Sequence, residues 1–288
     1  MAGNLNFFVR QMLLSDLKAA LDLSMAEGWN QTEKDWHLMF DNQSNICLVA
    51  ESSQKVIGTA TAINYANLAT WIGMVLVDKE FRKKGVGRML VTNIIEILKG
   101  FRSVKLDATP AGQPLYEKLG FIEERVLYRM TNPSFQSAGK EKFDLAPEPV
   151  YQNDLDEIIK FDRSIFGADR TYLLKTILHN NPGKAFLVKQ NGKVTGYIMG
   201  RIGIKANYIG PVFAFNTTDA EALIFKALES LNNQPVTLDV QEDKSELVKW
   251  LELIGFIRQR QFVRMYLKYN PYPGQVENQY LIIGPEYG

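Results

Sequence analysis

Apolar residues along this chain recur at two different periods, and one short polar loop marks a switch between them. Trp71 to Val77 is an apolar run of strand length, while Met89 to Leu98 repeats its apolar residues at the spacing of one helix face. Between them stands Arg82-Lys83-Lys84-Gly85-Val86-Gly87. The pattern therefore predicts a strand that passes through a glycine loop into an amphipathic helix. Glycines at 85 and 87 let the backbone approach a ligand with no Cβ in the way. The unpaired N–H groups of a first helical turn attract an anion, so the expected ligand carries phosphate. Asp154 to Phe166 and Ala220 to Leu231 show the helical period again.

The second half of the chain repeats the first. Gln54-Lys55-Val56-Ile57-Gly58 matches Asn191-Gly192-Lys193-Val194-Thr195-Gly196, each a hairpin turn between two strands, with Gly58 and Gly196 138 positions apart. Ile72-Gly73 matches Ile209-Gly210 at an offset of 137, and Leu119-Gly120-Phe121-Ile122 matches Ile254-Gly255-Phe256-Ile257 at 135. Charged, β-rich segments ending in Arg129-Met130 and Arg264-Met265 follow the last pair. Three matches in order imply a duplicated fold. Thr131 to Pro149 has no sustained apolar period and reads as linker plus entry to the second domain, with a boundary near residue 140. The expected domains are 1–138 and 139–288. Each half reads as an α/β (α+β) unit, a mixed and mostly antiparallel sheet flanked by helices. The tail from Tyr269 to Gly288, punctuated by Pro271, Pro273, Gly274, Gly284 and Pro285 around Tyr280-Leu281-Ile282-Ile283, is expected to pack back on the body.

Composition narrows the partners. With 288 residues and 46% hydrophobic positions the chain can fill two cores. Its 33 basic and 32 acidic residues leave a net charge of +1, so no global field draws it to nucleic acid or an anionic membrane, and a small-molecule ligand is favoured. Met1 to Leu17 lacks the basic start, apolar core and cleavage site of a secretory signal, and no apolar run has the length of a membrane span. A soluble, cytoplasmic protein is expected. Cys47 stands alone in the apolar run Ile46 to Ala50 and reads as a buried small hydrophobe. With only His37 and His179 and no cysteine cluster, no metal site is expected.

The glycine loop fits neither the dinucleotide fingerprint nor the nucleotide P-loop. It resembles the coenzyme A loop of the GNAT N-acetyltransferases, in which Arg or Gln is followed by two residues, Gly, one residue, and Gly or Ala. Arg82, Gly85 and Gly87 satisfy that pattern. Ahead of it, Met74-Val75-Leu76-Val77-Asp78 resembles the family's splayed strand, whose backbone serves the pantetheine arm. Behind it, Leu115-Tyr116-Glu117-Lys118-Leu119-Gly120-Phe121 is similar to the family's closing signature, with the tyrosine near the coenzyme's sulfur. The resemblance implies that acetyl-CoA is the cosubstrate. Amide groups from Lys83 through Val86 and Gly87 to Arg88 would face its pyrophosphate, aided by the positive end of the helix. Arg82, Lys83, Lys84 and Arg88 add four cations, of which Lys83 and Lys84 could equally be a solvated rim.

Acetyl transfer needs a deprotonated amine, a steadied carbonyl oxygen and a protonated leaving thiolate. The splayed strand's N–H groups, at Val75 or a neighbour, suit the second task. Tyr116 matches the family's general acid and suits the third, its alternative being a ring packed on the sheet. Asp107, Asp78 and His37 are weak candidates for a base, and a water relay is an open alternative. Many GNAT enzymes carry asparagine seven residues before the tyrosine; here that position is Thr109, whose hydroxyl could still bond the pantetheine. Gly112 follows it in Leu-Asp-Ala-Thr-Pro-Ala-Gly.

The second half keeps the frame and loses this chemistry. Phe215-Asn216-Thr217-Thr218-Asp219-Ala220-Glu221 stands where a glycine loop would fall, and Leu251 stands where Tyr116 would. Thr218 or Asp219 reads as a helix N-cap. Phe166-Gly167-Ala168-Asp169-Arg170, Tyr208-Ile209-Gly210-Pro211, the final Gly284-Pro285-Glu286-Tyr287-Gly288 and Trp29-Asn30 resemble a bacterial group of tandem GNAT proteins with a degenerate C-terminal module. Asp169 and Arg170 are either a local ion pair or a polar clamp for the acceptor, and Trp29 with Asn30 either packs or borders the acceptor. The expectation is an N-acetyltransferase acting on a small-molecule amine, its second half shaping the acceptor pocket. The rivals are an acyl-CoA sensor without turnover and an interaction scaffold.

Overall fold

A computed structural model of the chain describes residues 6–136, 143, 145–231, 233–271 and 274–288. The first half supplies strands β1 (Phe8–Gln11), β2 (Ile46–Ser52), β3 (Lys55–Tyr65), β4 (Ala69–Val77), β5 (Val104–Ala108) and β6 (Phe121–Asn132). Its helices are α1 (Leu17–Ala26), α2 (Glu33–Phe40), α3 (Val86–Ile97) and α4 (Gln113–Lys118). The second half supplies β7 (Glu148–Pro149), β8 (Ala185–Gln190), β9 (Lys193–Arg201), β10 (Asn207–Ala214), β11 (Val236–Gln241), β12 (Ile257–Leu267) and β13 (Gln279–Leu281). Its helices are α5 (Leu155–Phe166), α6 (Thr171–Asn180), α7 (Thr217–Glu229) and α8 (Ser245–Leu253). The boundary expected near residue 140 and Pro273 of the tail lie outside the described residues.

Local sequence accounts for the frame. Both hairpins turn through residue pairs with positive φ, Ser53-Gln54 (49° and 62°) and Asn191-Gly192 (51° and 75°), which match the right-handed twist of the flanking strands. Val86, Leu90, Val91 and Ile94 are buried at the spacing of one face of α3. The cap of α7 is Asn216, whose side chain accepts from Asp219 N–H at 2.8 Å; neither Thr218 nor Asp219 holds that place, because the helix begins one turn earlier than its apolar period suggests.

The mixed, mostly antiparallel sheet is one surface, not two. Its order is β1-β2-β3-β4-β5-β12-β6-β11-β13-β10-β9-β8-β7. Each half gives one strand to the other, β6 from the first and β12 from the second. β12 lies between β5 and β6, with Val263 opposite Ala108, and β6 lies between β12 and β11, with Leu238 opposite Met130. The exchange is reciprocal in chemistry as well. Arg129 on β6 grips Asp239 on β11 through both carboxylate oxygens, at 2.8 and 2.6 Å, and Arg264 on β12 grips Asp107 on β5 at 2.8 and 3.0 Å. All four residues are buried or lie at the sheet's seam. One face of the sheet carries a core shared by both halves, where Trp36 and Trp71 join Phe166, Tyr197, Phe213 and Tyr287. The other face carries two separate cores, one under α3 and α4 and one under α7 and α8.

The two parallel pairs of the sheet open in different ways. β4 runs with β5 only from Thr70 to Ile72, and β10 runs with β11 only at Asn207 and Tyr208. Beyond Tyr208 the gap is taken by the tail: β13 pairs with β10 at Val212 and Phe213 and with β11 at Val240. A Cβ on Gly210 would come within 2.0 Å of Ile282 O, so the tail is in backbone contact there. Beyond Ile72 no strand of the described residues fills the gap beside β4. A cleft results.

Candidate active site

The cleft measures about 730 Å³, within the ~300–1,000 Å³ of small-molecule sites. Its floor is the free edge of β4. A bulge sets Thr59 opposite Leu76 but Thr61 opposite Gly73, so Met74 and Val75 together face a single residue of β3. Met74 has φ of 49°, a sparsely populated conformation for a non-glycine residue, and its carbonyl accepts from the Thr59 hydroxyl at 2.8 Å. From Gly73 to Val77 the side of β4 that would pair with β5 has no strand partner, which leaves backbone groups for a ligand.

Arg82, Lys83, Gly85, Val86, Gly87 and Arg88 line the mouth. Residues 82–85 are exposed, with nothing sealed over them. Gly85 caps α3 at φ of 86°, and a Cβ there would meet no atom within 4 Å, so its open side is free space. The first turn of a 12-residue helix then aims its N–H groups outward. These features fit a diphosphate. Lys84 is not among the lining residues; its ammonium lies 5.2 Å from the Phe81 ring centre. Arg82 already has company: it pairs with Glu27 at the end of α1 and donates to Val77 O at 3.3 Å.

Thr109, Gly112 and Tyr116 line the far wall, across from Met74, Val75, Leu76 and Val77. The Thr109 hydroxyl accepts from Gly112 N–H at 3.2 Å, which leaves its proton free to donate. A Cβ on Gly112 would lie 3.1 Å from the Tyr116 ring, so glycine makes room for that ring. Tyr116 packs edge-on against Phe121 at 6.0 Å, and burial pushes its phenol above the ordinary range, which keeps it protonated.

The remaining candidates scatter. Trp29 lines the cleft, whereas Asn30 turns to the second half, accepting from Lys205 and Ala206 N–H at 2.8 and 3.1 Å and donating to Ala206 O at 2.9 Å. Asp169 and Arg170 do not pair with each other and do not line the cleft. Arg170 is sealed in the shared core with Asp162 and Tyr197, and Asp169 pairs with Arg163 and accepts from Thr171 N–H at 2.8 Å. Neither is placed to clamp an acceptor from this cleft. Asp78 pairs with Lys55 at 2.7 Å, and His37 faces Asp41 on the outer side of α2. Asp107 lines the cleft with its carboxylate committed to Arg264. Burial pushes the Cys47 thiol up to about 12, which leaves it inert at neutral pH.

Residues that the sequence patterns did not mark as site residues line the end of the cleft beside Gly73. Gln31 follows α1, Arg129 comes from β6, Arg260 and Phe262 from β12, and Pro285 and Glu286 from the tail. Glu286 crosses Gly73 so closely that a Cβ there would sit 2.8 Å from its Cα. Its Oε1 accepts from Gln31 Nε2 at 2.9 Å and from Arg201 Nη2 at 2.8 Å. Only the Gly-Pro-Glu-Tyr-Gly ending offered a signal for this wall. The strand exchange that delivers Arg260 and Phe262 has no local signature.

A sheet of this shape, parted beside a bulged strand and a glycine-capped helix, defines an acetyltransferase fold of the GNAT type. The comparisons agree. Residues 13–121 match the model of the acetyltransferase (GNAT) family, and residues 158–281 match that of an acetyltransferase (GNAT) domain. The uncharacterized N-acetyltransferase YitH of Bacillus subtilis (strain 168) is 30% identical over 188 residues, 65% of this chain and 66% of that one. The holothin acyltransferase of a Pseudoalteromonas species (strain SANK 73390) is 24% identical over 88% of this chain and 85% of its own. A crystal structure of a putative acetyltransferase from Pyrococcus horikoshii shares the fold, with a TM-score of 0.81 and 20% identity, over 100% of this chain and 99% of the other. The chain belongs to the GNAT acetyltransferases, as a protein with two such domains in tandem, and it is a transferase of acyl groups. Among the described residues no helix is long and apolar enough to cross a membrane.

Proposed function

We propose that the first half binds acetyl-CoA along β4 and the α3 loop and passes the acetyl group to the amine of a small molecule. The observation that carries this reading is the conjunction of an open cleft, exposed α3 amides at one end and Tyr116 in its wall. The family uses acetyl-CoA in general, and the fit of these residues to a diphosphate and an extended arm supports the same donor here.

The roles follow from position. N–H groups near Val75 steady the carbonyl oxygen as it gains charge. The amine nitrogen forms a bond to the carbonyl carbon, the carbon–sulfur bond breaks, and the Tyr116 hydroxyl gives its proton to the leaving sulfur. Tyr116 then recovers a proton from solvent. Asp107 is held by Arg264, and Glu286 by Arg201 and Gln31, so the amine's proton leaves through water and not onto either carboxylate. The second half holds the same frame with its gap closed by β13, and so takes no coenzyme in this reading. It contributes the acceptor wall instead.

A screen of free amines, polyamines, amino acids and aminoglycosides for thiol release from acetyl-CoA tests the reading. Saturable turnover of one class is the expected result. Tight acetyl-CoA binding with no turnover across all classes would instead make the protein a sensor.

A further inference from the structure

The acceptor end of the cleft holds polar groups that the protein does not satisfy. Arg260 is the first. Its Nε is buried without a hydrogen-bond partner, and among the described residues its guanidinium has no carboxylate within ion-pair distance. Every neighbouring acid is engaged elsewhere: Asp239 with Arg129, Asp107 with Arg264, Glu286 and Asp35 with Arg201. The Phe262 ring, 5.1 Å away, supports the guanidinium from one side. Gln31 is the second group. Its Oε1 is buried and receives no donor, while its amide nitrogen is fixed on Glu286.

Charge is unbalanced in the same places. Arg201 serves two carboxylates, Asp35 and Glu286, which leaves one negative charge beside Gln31. Arg260 leaves one positive charge on the opposite strand, where burial and the nearby Arg129 both press its pKa down. Arg260 is half-buried, with its Nε enclosed and unpartnered, so part of its hydration is lost with no counter-ion in return, and an incoming anion relieves that cost.

We propose that the acceptor is an amine that also bears a carboxylate, with the carboxylate held by Arg260 and the amine end drawn to Gln31 and Glu286. This inference rests on the acetyltransferase reading above and names its substrate class. A guanidinium fork matches a carboxylate through two parallel hydrogen bonds. One excess positive charge balances a mono-anion, whereas a phosphate dianion would need a second. The amine end supplies the donor that Gln31 Oε1 lacks, and its ammonium form answers the surplus charge at Glu286 before the proton is lost to water. The cleft thus complements both ends of an amino-acid-like molecule.

The test uses the full-length protein, acetyl-CoA, and amino acids each paired with its own carboxamide. The acids are expected to be used at least tenfold better in kcat/KM than the amides. Arg260→Gln should raise KM for the acids by about 10- to 100-fold, the range for a lost hydrogen bond to a charged group, and leave KM for acetyl-CoA and for the amides within about twofold. Arg260→Lys, which keeps the charge and loses the fork, should fall between. Equal use of acids and amides, or equal losses on both in Arg260→Gln, would overturn the inference while leaving the acetyltransferase reading intact. Titration of N-acetylated amino acids by calorimetry gives an arm that needs no turnover: binding that vanishes in Arg260→Gln supports the carboxylate site, and binding unchanged in that variant refutes it. Absence of thiol release with every amine would sink the reading beneath.

Discussion

Tyr116→Phe is expected to lower kcat by about 10²- to 10⁴-fold, the contribution of a positioned proton donor, equivalent to roughly 3 to 5 kcal/mol of barrier. The dissociation constant for acetyl-CoA should stay within about threefold. The two effects separate because of what surrounds the ring. Its edge-on contact with Phe121 and the space provided by Gly112 involve only ring carbons, so phenylalanine keeps the packing. Removing the oxygen removes a donor and nothing structural. The pH profile carries the same signature. Burial raises the phenol's pKa, so the proton stays on Tyr116 below that raised value and is lost only as pH climbs through it. The alkaline fall in kcat caused by Tyr116 should therefore lie above the ordinary tyrosine value of about 10. A variant with unchanged kcat would reduce Tyr116 to a packing residue, and a variant that lost coenzyme affinity alone would make it a binding one.

The second large effect is on folding. Residues 1–136 expressed without the rest should fail to give a stable fold or to bind acetyl-CoA, and co-expression with residues 145–288 should restore both. In the isolated first half β12 is missing, so β5 and β6 lose the strand that joins them. Asp107 would keep its buried place without Arg264, and Arg129 would lose Asp239. Breaking a buried pair costs about 3–5 kcal/mol, so two such losses rival the ~5–15 kcal/mol that holds a whole domain together. The loss of the shared core around Trp36, Trp71, Phe166 and Tyr287 adds to that. Solubility, a cooperative thermal melt and a coenzyme titration on the two forms decide the matter. A monomeric first half that melts cooperatively and binds acetyl-CoA as the full chain does would show that the exchanged strands are dispensable.

The contrast between those predictions shows which parts of the protein could be read from its residues. The strand, the glycine turn at 82–88 and the helix after it lie within one window of sequence, with Tyr116 a short way on, so these elements and their place along one cleft were legible from residue type and spacing. The hairpins at Ser53-Gln54 and Asn191-Gly192 were legible for the same reason, since a two-residue turn and its flanking strands lie within one window. The internal repeat revealed two halves but implied two sheets, because similarity between β6 and β12 says nothing about which partner each will choose. Strands of like sequence can exchange places without any change in local pattern. Arg129 and Arg264 stand in equivalent positions, and each finds its aspartate in the other half. This wall of the cleft was hidden by the same fact: Arg260, Phe262 and Glu286 are more than 140 residues from Tyr116 and reach the cleft only through the exchange and the tail. Asp169-Arg170 misled because adjacent opposite charges suggest a pair, whereas the helix places Asp162 and Arg163 closer to each.

Calorimetric titration of the full-length protein with acetyl-CoA shows whether one cleft per chain, cradled by the α3 amides, holds the coenzyme. A Cβ on Gly87 would point between Val77 and Leu115, at 3.5 and 3.8 Å, so an indole there must enter the cleft. One molecule should bind per chain and, in Gly87→Trp, affinity should be lower by at least about tenfold, as expected when bulk displaces a ligand from a backbone cradle. Two molecules per chain, no binding, or undiminished binding in Gly87→Trp would contradict it.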